Sequence, residues 1–247
     1  LKAMEFTSIT RRIAALLEVD PDDFEPDPEL AVKGASIPGA VDVSDGPAPA
    51  SGANGPDAHA EKVLETIRAI PCNHDDYEIV RDETALAAWI QDIVATGHVA
   101  VDTETTGLDN QAADLVGICL STRPGKACYV PLAHTTGEND MFGGGRAEGQ
   151  MDMRVALDML RPVFEDPAIL KIGQNVKYDL GIFARYAITM APIDDTLLMS
   201  YALDGARNNG MDALAQRWLD HTCIKFTDLA GTGKNQLTFD KLEIEPA

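Results

Sequence analysis

The chain has 247 residues, 45% of them hydrophobic, which is enough for one large folded domain or for one domain and a tail. Its net charge of −20 argues against a nucleic-acid partner on charge alone, because phosphate binding normally requires a basic surface. No apolar run approaches the roughly 18 residues that a membrane helix needs, and no signal-peptide pattern opens the chain.

The four cysteines are Cys72, Cys119, Cys128 and Cys223, and none of them forms a C-x-x-C pair. Cys119 and Cys128 fall within apolar runs. This spacing predicts reduced, mostly buried thiols in a cytosolic protein.

The first 75 residues divide into two predicted parts. Residues 1–18 carry apolar side chains near helical spacing and are predicted to form a helix. Residues 19–75 are predicted to be a flexible linker that is acidic and rich in Pro and Gly, with nine acidic residues and one lysine, Lys33, between positions 19 and 60. Within this linker, "EKVLETIRAI" is either a helix or more linker. The chain begins with Leu, so we expect it to be a piece of a longer polypeptide.

Residues 76–247 have the pattern of a folded domain. A strand is predicted over residues 77–80, and Asp82 is placed to cap a following helix that ends near Gly97. The apolar positions of that helix recur at i, i+3, i+4, i+7 and i+8, and they are Leu86, Trp89, Ile90, Ile93 and Val94.

Three further strands are predicted over residues 99–103, 115–122 and 127–134, and their short connections indicate an antiparallel meander. The remaining predicted elements are a strand over residues 169–173 and helices over residues 152–165, 175–186, 195–203 and 211–219. The fold class predicted from this order is α/β, with a mixed sheet flanked by helices.

The stretch "HVAVDTETTGLD" places two carboxylates at the end of a strand. Residues 99–101 are predicted to be buried on both faces, and Asp102 and Glu104, two positions apart, project from the same face. Carboxylates this close repel each other unless a cation lies between them, and Mg²⁺ or Mn²⁺ suits oxygen ligands. The alternative is a pair of solvated acids at a strand end.

A second cluster lies in "KIGQNVKYD". Asn175 is placed to cap a helix, and Asp179 follows one turn later on the same side. On this pattern alone, Asp179 could equally be a surface acid. Asp195, in a later "D-T" pair, is interpreted as a helix N-cap and not as a ligand.

Taken together, several blocks resemble one family. In order, they are "VAVDTETTGLD", "LVGICLS", "KIGQNVKYDLGIFARYAI", "DDTLLMSYALDGARNNGMDALAQRWL" and "AGTGKNQLTF". From residue 77 onward the chain resembles the 3′→5′ exonuclease (proofreading) domain of bacterial, family A DNA polymerase I. The opening "LKAMEFTSITRRI" resembles the end of the preceding 5′-nuclease region, so residues 19–75 would join the two nuclease regions.

The resemblance implies a ribonuclease H-like fold and hydrolysis of the 3′-terminal phosphodiester of DNA with two Mg²⁺ or Mn²⁺ ions. By position, Asp102 and Glu104 would be metal ligands, with Asp102 bridging both ions, and Asp179 would serve the second ion largely through water. All three acids would be catalytic. The positions implied to contact the substrate are Thr103, Leu108, Asn175, Tyr178 and Phe226.

The implied partners are the single-stranded 3′ end of DNA and the polymerase and 5′-nuclease domains of the same parent chain, in the cytoplasm and associated with the nucleoid. The family's third motif, a Tyr and an Asp beyond "QLTF", is not reached before Ala247. We therefore expect this fragment to be weakly active or inactive, although its parent would be an enzyme.

Two other functions remain open at this stage: a ribonuclease D-like RNA exonuclease, or a non-catalytic module that supports the polymerase. The presence of all three acids favours a catalytic parent. Candidate phosphate contacts are Lys126, Lys171, Lys177, Lys225 and Lys234, although each of them taken alone is more typical of a solvated surface lysine.

Overall fold

A mixed sheet of six strands organises the part of the chain that the structure describes. In this computed structural model, that part comprises residues 58–71, 73, 76–136, 145–203 and 205–246, all within one compact unit from Pro56 to Ala247. The strands are β1 (Glu78–Ile79), β2 (His98–Thr105), β3 (Leu115–Arg123), β4 (Lys126–Pro131), β5 (Leu170–Gly173) and β6 (Ile193–Asp195).

The helices flank this sheet. They are α1 (Ala58–Arg68), α2 (Glu83–Thr96), α3 (Met153–Glu165), α4 (Lys177–Arg185), α5 (Thr196–Leu203), α6 (Met211–Leu214) and α7 (Phe226–Ala230). A π-helical turn, Ala215–Leu219, continues α6, and the 3₁₀ turns Gly233–Asn235 and Phe239–Lys241 follow α7. None of the helices in the described residues is long and apolar enough to cross a membrane.

The strand order is β1-β4-β3-β2-β5-β6. β2, β3 and β4 form the predicted antiparallel meander, whereas β5 runs parallel to β2, β6 parallel to β5, and β1 parallel to β4. β2 is therefore a central strand, with β3 on one side and β5 on the other. The predicted α/β class with a mixed sheet is confirmed.

The main hydrophobic core lies on one face of the sheet. Val99 and Val101 of β2 point into it, and α2, α3 and α4 cover it with side chains such as Leu86, Leu160 and Phe183. Alternation along β2 sends Ala100, Asp102 and Glu104 to the opposite face.

That opposite face is covered in two different ways. Near the exit of β2, the C-terminal segment packs Phe239, Leu242 and Ile244 against Tyr129 of β4. Further back along β2, an open apolar hollow of about 690 Å³ lies between the sheet and the α5–α6 region. Ala100 lines this hollow and is exposed, so the prediction that residues 99–101 are buried on both faces is wrong at that position.

The helix ends explain why the chain turns where it does. Asp82 Oδ1 accepts from the Ala85 N–H at 2.9 Å at the start of α2, as predicted. Gly97 ends this helix at φ +72, a left-handed conformation that glycine adopts at little cost. Asp152 caps α3 in the same manner through the Val155 N–H.

One prediction for the helices is wrong, one open alternative is decided by the structure, and one prediction is not tested. Val94 was assigned to the apolar face of α2, but it is 60% exposed because it lies at the edge of the buried stripe. The "EKVLETIRAI" stretch, left open between helix and linker, is helical in α1, where Arg68 Nε donates to the Trp218 carbonyl at 2.8 Å. The helix predicted over residues 1–18 lies outside the described residues.

Candidate active site

Asp102 and Glu104 lie side by side at the exit of β2. They pair across the ladder with Cys119 and Gly117 of β3, and a bulge in the register follows directly after Glu104. Burial raises the pKa of Glu104 to about 7, with further contributions from the negative charges of Asp102 and Asp179. Burial also raises the pKa of Asp102, against a backbone hydrogen bond from Thr103 that lowers it. The predicted pairing of these two acids on one face is confirmed.

Asp179, in the first turn of α4, is held at the edge of the same strand. Its Oδ1 accepts from the Thr103 N–H at 3.0 Å and from the Thr103 hydroxyl at 2.5 Å. β5 pairs with β2 only as far as Ala100, so Asp179 receives a backbone donor that the sheet does not use. Burial raises the pKa of Asp179 to about 6; the Thr103 hydroxyl opposes that shift, and the charge of Asp102 adds to it.

Thr103 therefore holds the carboxylate of Asp179 in place through two hydrogen bonds. Its side chain is only 7% exposed and points to the opposite face from Asp102 and Glu104. The expectation that Thr103 contacts the substrate is not supported for its side chain, because that side chain is buried and donates to the acid.

The three acids fit a hard divalent cation by their chemistry. Each is a carboxylate, and the raised pKa values of Glu104 and Asp179 arise partly from their shared negative charge, which a cation would relieve. Within the described residues, no group of three or more His, Cys, Asp or Glu side chains is already arranged to hold an ion. In the part of the chain that the structure describes, Asp102 and Glu104 have no side-chain donor of the kind that engages Asp179, whose Oδ1 accepts from Thr103.

A loop after β2 presents Leu108 to solvent. Leu108 is 97% exposed, although the backbone just before it is held by hydrogen bonds. Tyr178 Oη donates to the Gly107 carbonyl at 2.5 Å, and the Thr106 N–H donates to the Asp114 carbonyl at 3.0 Å. Tyr178, predicted to touch the substrate, holds this loop in place.

Asn175 lies at the start of α4, and its side chain is exposed. It was placed as a possible cap of this helix, but it adopts φ +58 and its side chain makes no cap hydrogen bond in the described structure. Asp195 takes that role. Its carboxylate accepts from the N–H groups of Asn175 and Val176, both at 3.0 Å, and from that of Leu197 at 2.9 Å.

Asp195 therefore joins the starts of two helices, α4 and α5. The interpretation of Asp195 as the N-cap of the later helix is confirmed, and its second role at α4 was not predicted. This tie fixes α4, and with it Asp179, relative to the end of β6.

Phe226 begins α7 and is 43% exposed. Its inner face stacks on Phe239, with ring centroids 6.2 Å apart and an interplanar angle of 10°. Phe239 in turn contacts Tyr129 and His134 at 6.4 and 5.9 Å. A ladder of rings thus connects Phe226 to the acid-bearing face of the sheet.

Sequence reasoning gave Tyr129, His134 and Phe239 no role. The signal was available in the predicted meander, because Asp102, Cys119 and Tyr129 lie in register across β2, β3 and β4. In this register Tyr129 lies on the acid-bearing face, two strands away from Asp102.

The candidate phosphate contacts separate by burial. Lys171 is fully buried, and its Nζ donates to the carbonyls of Asp166, Ile169 and Ala191 at 2.9, 2.6 and 2.5 Å. It is therefore neither a phosphate contact nor a solvated surface lysine. Lys126 pairs with Asp92 at 2.6 Å. The exposed candidates are Lys177, Lys225 and Lys234.

A family model described as 3′-5′ exonuclease, for family A DNA polymerases, matches residues 77–242. The chain belongs to this 3′-5′ exonuclease family. The match begins one residue before β1 and ends at Leu242, so it contains the sheet and all three acids. The recognition made from the sequence blocks is confirmed for this exonuclease family of DNA polymerase I.

The relatives of this exonuclease domain are DNA polymerases. DNA polymerase I of Rhizobium leguminosarum is 38% identical over 281 residues, which cover all of this chain and 28% of the relative. DNA polymerase I of Pseudomonas aeruginosa is 40% identical over 176 residues, covering 70% of this chain and 18% of the relative. The chain thus spans less than a third of these relatives' length.

Solved structures with looser similarity include two nucleic-acid enzymes. Escherichia coli RNase D, an exoribonuclease involved in structured RNA processing, aligns at 18% identity over 63% of this chain and 36% of its own, with a TM-score of 0.45. Pol1 of M. smegmatis, solved with a DNA primer-template and dNTP, aligns at 18% identity over 58% of this chain and 23% of its own, also at 0.45.

Proposed function

We propose that this chain is the proofreading unit of a DNA polymerase I and hydrolyses the 3′-terminal phosphodiester of single-stranded DNA. The observation that carries the proposal is the convergence of Asp102, Glu104 and Asp179 around the exit of β2, in a chain of the 3′-5′ exonuclease family. Burial raises the pKa of Glu104, and the negative charges of Asp102 and Asp179 add to that rise, as expected of a site built for a cation.

Asp102 and Glu104 would hold the Mg²⁺ or Mn²⁺ ions, and Asp179 would act on the second ion through water. Bound divalent cations would supply an activated water and a counter-charge for the leaving 3′ oxygen. Thr103 orients Asp179, and Asp195 fixes the start of the helix that carries it. Neutralisation of the acids would also lower the barrier that a chain of charge −20 presents to DNA.

The substrate would be a frayed 3′ end. Leu108 and Phe226 are both exposed and apolar and would pack against the terminal bases. Asn175 and the ring of Tyr178 lie at the start of α4, next to Asp179, where they could contact the sugar or phosphate.

The parent chain would carry the polymerase and 5′-nuclease domains that such relatives imply, and it would work at the nucleoid in the bacterial cytoplasm. The domain division we propose is residues 1–18 from the end of the 5′-nuclease region, 19–75 as linker and 76–247 as exonuclease. Helix α1 then lies within the linker and forms a structured stretch just before the exonuclease domain.

We propose further that these 247 residues alone have little or no activity. The Tyr and Asp of the expected third motif are not among them. Without that Asp, one ion would lose a ligand, and without that Tyr, the attacking water would lose an orienting group.

The test is a gel assay with a 5′-labelled single-stranded DNA oligonucleotide and Mg²⁺ or Mn²⁺. The variants are Asp102→Ala and, as a matched control, Asp158→Asn, which changes an exposed acid of α3 that is far from the acid cluster in sequence. The same reactions are run with EDTA, with an RNA oligonucleotide, and with a longer polypeptide that continues past Ala247.

We expect shortening from the 3′ end by the longer polypeptide, abolished by Asp102→Ala and EDTA and unaffected by Asp158→Asn. Shortening of RNA but not DNA would support the ribonuclease D-like alternative. No shortening by any form, together with no specific Mn²⁺ binding, would support a non-catalytic module.

A further inference from the structure

Gly117 makes room for the hydroxyl end of Tyr129. A Cβ built at Gly117 would lie 2.1 Å from Tyr129 Oη and 2.3 Å from its Cε2 and Cζ, closer than real side chains approach. The ring of Tyr129 therefore occupies the space that any side chain at position 117 would fill.

That space is next to Glu104. Gly117 and Glu104 are directly paired across β2 and β3, and side chains in such pairs start about 4.5–5.5 Å apart. Asp102, Cys119 and Tyr129 form the neighbouring row on the same face. The ring of Tyr129 thus extends diagonally over Gly117. Its hydroxyl lies where a side chain at position 117, directly opposite Glu104, would begin.

The hydroxyl is fixed from behind by His134. Tyr129 Oη lies 2.7 Å from His134 Nε2, and His134 Nδ1 lies 2.9 Å from the Leu242 carbonyl. A carbonyl only accepts, so the neutral ring carries its proton on Nδ1 and its Nε2 accepts from the Tyr129 hydroxyl. The oxygen of that hydroxyl is then left as an acceptor.

His134 itself cannot move easily. It is fully buried, its backbone N–H donates to Gln150 Oε1 at 2.6 Å, and its carbonyl accepts from Gln150 Nε2 at 2.9 Å. Phe239 packs on its ring at 5.9 Å. The position of the Tyr129 oxygen is therefore determined by a series of contacts through His134 to Leu242 and Phe239 in the C-terminal segment.

We propose that Tyr129 is a positioning residue for Glu104. Its fixed oxygen occupies the space over Gly117 and thereby excludes the Glu104 side chain from it, which directs the Glu104 carboxyl group toward Asp102. The consequence for cation binding rests on the proposed function, in which Glu104 is a metal ligand. The orientation of Glu104 does not depend on it.

The experiment compares the full 247-residue chain with Tyr129→Phe, which removes only the hydroxyl, and with Ile244→Ala. Ile244 belongs to the same apolar cluster as Tyr129 and is 6% exposed, so Ile244→Ala controls for general loosening of that cluster. The first readout is the set of NMR three-bond couplings that report χ1 of Glu104 in the metal-free chain. The second is Mn²⁺ affinity by calorimetry.

We expect one Glu104 rotamer in the wild type and in Ile244→Ala, and averaging between rotamers in Tyr129→Phe. Mn²⁺ affinity should fall about 10-fold in Tyr129→Phe, the lower end for residues that orient metal ligands. A wild type that already averages, a Tyr129→Phe chain that keeps one rotamer, or equal averaging in both variants would each overturn the proposal. Absence of Mn²⁺ binding in the wild type would count against the proposed function alone, because the couplings would still decide the role of Tyr129.

Discussion

The hydroxyl of Thr103 donates to Asp179 Oδ1 at 2.5 Å, across 76 positions of sequence. With the backbone N–H of the same residue at 3.0 Å, it gives this carboxylate two donors from one strand. An acid on helix α4 is thereby fixed to the strand that carries Asp102 and Glu104, and the relationship defines the geometry of the site.

Replacing Thr103 with Val should destabilise the fold and weaken the site. Val keeps the backbone donor and the approximate shape but removes the hydroxyl. Since a hydrogen bond to a charged group contributes about 1.5–3 kcal/mol, we expect the free energy of unfolding in urea to fall by a similar amount. Thr227→Val, at an exposed position of α7, should change it by less than about 0.5 kcal/mol. Equal effects in both variants would contradict the assignment.

The stability of the metal-free chain should fall as pH rises from about 4.5 to about 7. The pKa of Glu104 is raised from 4.5 to about 7 in the folded chain, so between these values the unfolded chain releases a proton that the folded chain keeps. Stability is therefore lost with rising pH in this window. Asp179, raised from 3.8 to about 6, adds a similar trend from a lower pH.

Divalent cations should reverse this loss. A cation takes the place of the retained proton, so Mg²⁺ or Mn²⁺ should raise Tm more at about pH 8 than at about pH 5.5. Thermal scans with and without the ion provide the measurement, and Glu104→Gln should remove most of the difference. An increase in Tm of the same size at both pH values would show that the ion acts elsewhere.

Asp195→Ala should be among the most damaging single substitutions in this domain. The substitution leaves the backbone donors at the starts of α4 and α5 without their shared acceptor. The loss of a helix cap together with unsatisfied backbone donors should lower the free energy of unfolding by about 2–4 kcal/mol. Urea denaturation measures the loss. Asp194→Ala, at the neighbouring and less buried position, should cost far less, and a comparable loss there would argue that β6 is fragile for another reason.

Leu108→Ala should separate binding from stability. Because Leu108 is 97% exposed, its truncation should leave Tm unchanged. If the side chain packs on a terminal base, KM for single-stranded DNA should rise about 10-fold in a catalytically complete polypeptide. A 10-fold change equals about 1.4 kcal/mol, which is close to the free energy gained when most of a leucine side chain is buried. Leu198→Ala, at another exposed leucine, on α5, should leave both quantities unchanged.

The sequence was sufficient to predict those parts of the fold that depend on local pattern. Alternation along β2 placed Asp102 and Glu104 on one face, and the acidic cap at Asp82 marked the start of α2. These predictions succeed because period and capping are properties of a few neighbouring residues.

The rest depended on tertiary placement. The bond from Thr103 to Asp179 exists because β5 ends early and leaves an edge of β2 for α4 to cover, which no local pattern records. Ala100 was expected to be buried because its neighbours are apolar, but burial depends on what covers each face. The roles of Tyr129 and His134 become visible only once the strands are paired.

The enclosure of Lys171 has a practical consequence for chemical footprinting. Its amine lies inside the protein with carbonyl partners, whereas Lys177 and Lys234 face solvent. An amine-reactive ester should therefore label the latter two within the folded domain and reach Lys171 only in molecules that have opened. The rate at which the peptide around position 171 becomes labelled, measured by mass spectrometry, would then report how often the junction of β5 and β6 opens.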